Sequence, residues 1–164
     1  MFILGHIGIT AFLASLLFLY PFLAGLASQL PDLIDKPLYI LGIFPCGRYI
    51  GHTLFAVFLV GLISYLITKR KLIALSISFG MLMHLFEDMP HFVPWFYPFL
   101  DYDFPTSPFE FHYTLKLFIL DLIGLTLLII LYKKNNTFRG EILGWKEMIQ
   151  NFMKKIKNKF HINF

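Results

Sequence analysis

The stretch 7–31, IGITAFLASLLFLYPFLAGLASQLP, holds no charged side chain and has Pro21 near its middle. About 20 apolar residues suffice to cross a bilayer, so this run is a membrane segment by composition and length. Proline removes a backbone donor and disfavours helix at the residue before it, so a break at Tyr20-Pro21 is expected. Gly25 adds freedom just beyond. Two readings follow: one long span, or a helix over about 3–19 that turns and returns as a half-helix over 22–30. Broken backbone at membrane depth is tolerated only where protein covers it or a cavity receives it. The broken form is the preferred one.

The rest of the chain repeats the pattern. Residues 53–68 carry no charge, 72–86 only His84, and 117–132 only Asp121. Over all 164 residues, 57% are hydrophobic and 15% charged, and the mean hydropathy is +0.69. A soluble domain carries about 25% charged residues. The expected fold is therefore all-α: a polytopic bundle of about four to five short helices plus a C-terminal surface helix. No basic leader with a small-residue cleavage site opens the chain, so a cleaved signal is not expected. Cys46 stands alone between Pro45 and Gly47 and reads as a loop residue.

The formal charge of +4 is not a nucleic-acid signal, because the cations sit beside apolar segments. They gather in Lys69-Arg70-Lys71, Lys133-Lys134, Arg139 and the lysines 146, 154, 155, 157 and 159. Basic residues at helix ends stay cytoplasmic, which puts the 69–71 turn and everything after 132 inside. The connections 31–50 and 90–112 then face outward, with helices over 51–68, 72–89 and 113–132. In the tail, Ile142, Trp145, Ile149, Phe152, Ile156 and Phe160 recur at helical steps among lysines. This predicts a basic amphipathic helix over 135–164 on an anionic lipid surface, after a membrane-embedded domain over 1–134.

Ionisable residues in membrane segments are costly and mark functional sites. The topology brings three pairs to the outer side: Asp32 with Asp35, Arg48 with His52, and His84 with Asp88. His84 and Asp88 are four apart and share a helix face. Imidazole and carboxylate there make a metal half-site, to be completed by Asp32, Asp35 or His52. The spacing of Asp32 and Asp35 suits two ligands, or one ligand and one partner orienting a histidine. Without thiolate, such ligands favour zinc or manganese, with iron also possible. His91, Asp101, Asp103, Glu110 and His112 read as rim or capping residues, of which His91 or His112 could complete the shell. Asp121 reads as an interhelical hydrogen-bonding residue, with a serine or threonine as partner.

Four pieces in order carry a resemblance: Gly5-His6, Leu-Pro-Asp-Leu-Ile-Asp-Lys-Pro over 30–37, Gly47-Arg48 with Gly-His-Thr-Leu over 51–54, and His-Leu-Phe-Glu-Asp over 84–88. The aromatic-proline run Pro-Trp-Phe-Tyr-Pro-Phe over 94–99 adds to it. Over residues 5–132 the chain resembles the membrane-bound metal-dependent hydrolases, the YdjM-like or LexA-binding inner-membrane hydrolase family. That family is distantly similar to zinc-dependent phospholipases C. The resemblance implies a metal site built from His6, Asp32, Asp35, His52, His84 and Asp88. It is also why the broken first segment is preferred: a straight helix from 6 to 32 would part its ends by about 39 Å, at roughly 1.5 Å per residue.

The leading expectation is a membrane-embedded, metal-dependent hydrolase acting on a lipid, at a phosphoester. Asp35 or Asp88, whichever is not a ligand, would serve as general base. Arg48 and Lys36 would meet phosphate oxygens, with His91 nearby. A ceramide-type or other amide hydrolase fits the same metal chemistry. The alternative is a non-enzymatic membrane metal carrier or scaffold. An open coordination position separates catalyst from structural site.

Overall fold

A computed structural model describes residues 3–89, 91–105 and 114–160. Among these residues the secondary structure is helical throughout, with no strand. The helices are α1 (Ile3–Leu16), α2 (Pro21–Ala27), α3 (Leu30–Ile40), α4 (Leu54–Thr68), α5 (Lys71–Glu87), α6 (Leu115–Lys134) and α7 (Asn136–Phe160). A single 3-10 turn, Ile50–His52, precedes α4.

The first hydrophobic run is broken where proline demands it. After Leu16 the amides of Leu17 and Leu19 both reach Ala14 O, and Phe18 adopts a left-handed φ of 55°. Tyr20 is extended, as a residue before proline prefers, and Pro21 opens α2. The Tyr20 amide is not left orphaned: it donates to Ser76 Oγ of α5 at 3.0 Å. Thus α2 returns alongside α1 instead of continuing it.

One difference from expectation lies in the connection 31–50, which contains a helix of its own. Pro31 sits in the first turn of α3, where a missing N–H costs nothing. Pro37 removes one ladder bond without ending the helix, since Leu41 N still reaches Pro37 O. The bundle therefore has more helices than the four to five expected, because the first forty residues make three short ones.

Small residues set the helix crossings. A Cβ on Gly8 would lie 2.1 Å from Gly124 O, and one on Gly124 equally close to Leu4 O. Only glycine lets α1 and α6 approach this closely, a packing device of helices that lack large interdigitating side chains. Asp121 anchors the same contact by accepting from Gly5 N at 2.8 Å. Its partner is a backbone amide, not the hydroxyl expected, because it faces the first turn of α1, whose amides have no helical acceptor.

Two apolar clusters fill the interior. Ala56, Val57, Met81, Leu85 and Val93 join α4 and α5 to the segment after α5. Ala11, Leu131 and Phe138 tie α1, α6 and α7 together at the other end. The start of α7 is consequently part of the bundle. Phe138 is buried, Trp145 meets the edge of Phe22, and Glu141 accepts from the amides of Phe22 and Leu23. Burial holds the Glu141 carboxyl above its ordinary range despite those two donors. Beyond, the apolar residues Met148, Ile149, Phe152 and Met153 are exposed.

By length and composition, α6 alone among the described helices suffices to cross a membrane; α1 and α4 are apolar but shorter. On α6, Phe118, Ile119, Leu122, Ile123 and Ile129 face outward.

Candidate metal centre

Four segments deliver the polar groups to one end of the bundle. The first turns of α1 and α3, the 50–52 turn and the last turn of α5 converge there. His6, Asp35, His52, His84 and Asp88 are all at most 2% exposed, although each is ionisable. The broken first segment is what brings His6 back to Asp88, with His6 Nε2 and Asp88 Oδ1 3.8 Å apart.

The tightest grouping is Asp32, His52 and His84. His52 Nε2 lies 3.2 Å from His84 Nε2 and 3.5 Å from Asp32 Oδ1, and the latter pair are 3.7 Å apart. Ligands at 2.0–2.2 Å around a tetrahedral zinc stand about 3.3–3.6 Å from one another, so this triangle has the size of one coordination face. A second grouping, His6, His84 and Asp88, shares His84 with the first. Asp88 Oδ2 is 3.8 Å from His52 Nε2 and 3.9 Å from His84 Nε2.

The polar atoms confirm an electron-rich pocket. His52 Nδ1 pairs with Asp35 Oδ2 at 2.7 Å, which turns Nε2 toward His84 and Asp32. Asp32 Oδ1 and His6 Nε2 are buried without a hydrogen-bond partner. Unpaired buried acceptors are rare, and a cation is one thing that satisfies them. Burial by itself would depress the His52 imidazole; the carboxylates of Asp32 and Asp35 outweigh it and raise its proton affinity. Burial likewise pushes the Asp32 carboxyl up, but His52 and Lys36 pull it well below the usual carboxylate range. The donor set fits a divalent cation.

The remaining expected residues fall around this cluster in different ways. Asp35 stands behind His52, its oxygens taken up by the imidazole and by the amides of Tyr49, Gly51 and His52. Arg48 Nε donates to Asp88 Oδ2 at 2.6 Å, and Lys36 pairs with Asp32 one turn away. His91 is exposed just past α5, its amide on Asp88 O. Burial and the nearby Arg48 charge lower its imidazole. Asp101 and Asp103 are exposed, and Glu110 and His112 lie outside the described residues.

Sequence reasoning passed over Glu87. It is bonded to His6 Nδ1 and accepts from Thr10 Oγ1 at 3.3 Å. The signal was present: a carboxylate in an apolar helix, three residues after His84, inside a motif already singled out.

Fold and cluster together define an all-helical protein with a buried imidazole–carboxylate centre at one end of its bundle. The chain belongs to the YdjM inner membrane protein family, whose model matches residues 1–149. The match runs past the last motif and includes the part of α7 that packs on α2. No curated protein and no solved structure matches the chain.

Proposed function

We propose that this protein is a multi-pass membrane hydrolase that uses a divalent cation of the zinc type to cleave a phosphoester in a lipid. The observation that carries the reading is the triangle of Asp32 Oδ1, His52 Nε2 and His84 Nε2, drawn from three separate segments. Manganese or iron would suit the same donors. The spans are α1, α4, α5 and α6, with α2 re-entering beside α1. The centre lies on the extracytoplasmic side and the basic 69–71 turn and tail inside. The start of α7 belongs to the membrane domain, and its later turns rest on anionic lipid.

Asp32, His52 and His84 would hold the cation, with His6 at the edge of the shell. When bound, it would polarise the phosphoryl oxygen and bring the pKa of a coordinated water toward neutrality. Asp88 would accept the proton of the attacking water as the new oxygen–phosphorus bond forms, and return it to the departing alkoxide as the ester bond breaks. Arg48, already beside Asp88, pairs with a phosphate oxygen, and Lys36 contributes at the rim. Asp35 keeps His52 in register. An apolar groove of about 330 Å³, lined by Leu54, Phe55, Phe58, Trp95, Phe96 and Phe99, starts two residues after His52 and suits the substrate's tails.

The test is metal analysis of the purified protein beside a His84→Ala variant, followed by lipid-phosphate release from mixed micelles. The reading expects metal and phosphate release in the first and neither in the second. Metal without turnover on phosphoester or amide lipids would favour a carrier or scaffold. Equal, near-zero metal in both proteins would end the metal reading.

A further inference from the structure

Glu87 stands one residue before Asp88, in the last turn of α5, with its side chain only 8% exposed and its partners on α1. Its Oε2 is bonded to His6 Nδ1, and its Oε1 accepts from Thr10 Oγ1, one turn further along α1. His6 therefore has one nitrogen engaged by a carboxylate. The other, Nε2, is buried without a hydrogen-bond partner and stands 3.8 Å from Asp88 Oδ1. The ring itself is stacked on His84, centroids 4.2 Å apart and planes 25° from parallel, so it has little freedom to turn.

With Glu87 ionised its carboxylate can only accept, so the bond then places the proton on His6 Nδ1 and the lone pair on Nε2. The same chemistry occurs on the opposite side of the cluster, where Asp35 binds His52 Nδ1 at 2.7 Å. We propose that Glu87 is a positioning residue for His6, holding its Nδ1–H so that the Nε2 lone pair faces the edge of the cation shell beside His84 and Asp88. Thr10 steadies the carboxylate from behind. Two histidines from segments far apart in sequence are thereby each oriented by a buried carboxylate, one on α3 and one on α5. The inference rests on the metal reading for its last step, but the orientation of His6 does not.

The experiment has two readouts. In metal-free protein labelled with 15N-histidine, the His6 ring signal, identified by its loss in His6→Gln, should show the Nδ1–H tautomer. In Glu87→Ala it should move to a mixture or to the other tautomer, with Glu87→Gln retaining the wild-type form in part. In zinc titration by calorimetry, Glu87→Ala should bind about 10- to 100-fold more weakly, Glu87→Gln less so. The His6→Ala/Glu87→Ala double variant should bind no more weakly than His6→Ala alone. A His6 tautomer unchanged by Glu87→Ala overturns the proposal, as does additivity of the two variants or a His6→Ala protein with wild-type affinity. Should wild-type protein bind no zinc, the metal reading fails and the tautomer shift alone decides whether Glu87 orients His6.

Discussion

Asp35 and His52 form a fully buried pair, Oδ2 to Nδ1 2.7 Å, and the same carboxylate gathers the amides of Tyr49, Gly51 and His52. One side chain of α3 thus folds the 49–52 segment around itself and aims an imidazole at the cluster. Space allows nothing else: a Cβ on Gly51 would come within 2.9 Å of Asp35 Oδ1.

Removing that carboxylate should therefore cost both stability and metal. Asp35→Ala leaves several buried donors unpaired, a loss on the order of 3 kcal/mol. Asp35→Asn keeps part of the amide network but loses charge behind His52, and zinc affinity should fall about 10- to 100-fold. Thermal unfolding in detergent and zinc titration measure the two effects separately. Unchanged zinc affinity in Asp35→Asn would deny Asp35 its orienting part.

Arg48 should matter to the substrate more than to the ion. Its Nε reaches Asp88 Oδ2, and it is partly exposed. In Arg48→Ala, zinc affinity should stay within a few-fold of wild type while binding of a soluble lipid-phosphate analogue weakens about 10- to 100-fold, the worth of a charged hydrogen bond. Arg48→Lys should recover only part, since it lacks the planar fork. Equal losses of metal and analogue binding would assign Arg48 to the shell's architecture.

The α1–α6 crossing admits no side chain at Gly8. Gly8→Ala should push the helices apart, at a cost of about 1–3 kcal/mol, and Gly8→Leu should prevent stable folding. Because α1 carries His6, Gly8→Ala should also weaken zinc binding without touching a ligand. Melting curves and titration check both, and a Gly8→Ala protein that melts like wild type would mean that the crossing is looser than described.

Docking of α7 should respond to pH through Glu141. Its folded carboxyl is raised by burial, so the proton is held more tightly when α7 is docked. Docking is then strongest below the ordinary value of 4.5 and weakens as pH rises through the shifted one. Glu141→Gln should flatten that dependence while still accepting from Phe22 and Leu23. Hydrogen exchange of the α2 amides against pH reports it; a steeper response in Glu141→Gln would reverse the sign.

Much of the architecture was legible in the residues because hydrophobic runs, prolines and basic turns are local signals. The chargeless stretch 7–31 with Pro21 announced a broken segment, and the helices expected over 51–68, 72–89 and 113–132 are α4, α5 and α6 within three residues at each end. The three ionisable pairs were visible as charges in apolar surroundings. What the sequence alone determined was therefore which groups are too costly to bury without a purpose, and at which end of the bundle they collect. Only the tertiary structure decided how they divide: Asp32, His52 and His84 as a triangle, Asp35 and Glu87 behind histidines, Arg48 on Asp88. That division turns on distances of 2.6–3.7 Å between segments far apart in the chain. It also depends on glycine crossings such as Gly8 with Gly124, which bring backbones together without leaving any periodic mark in the sequence.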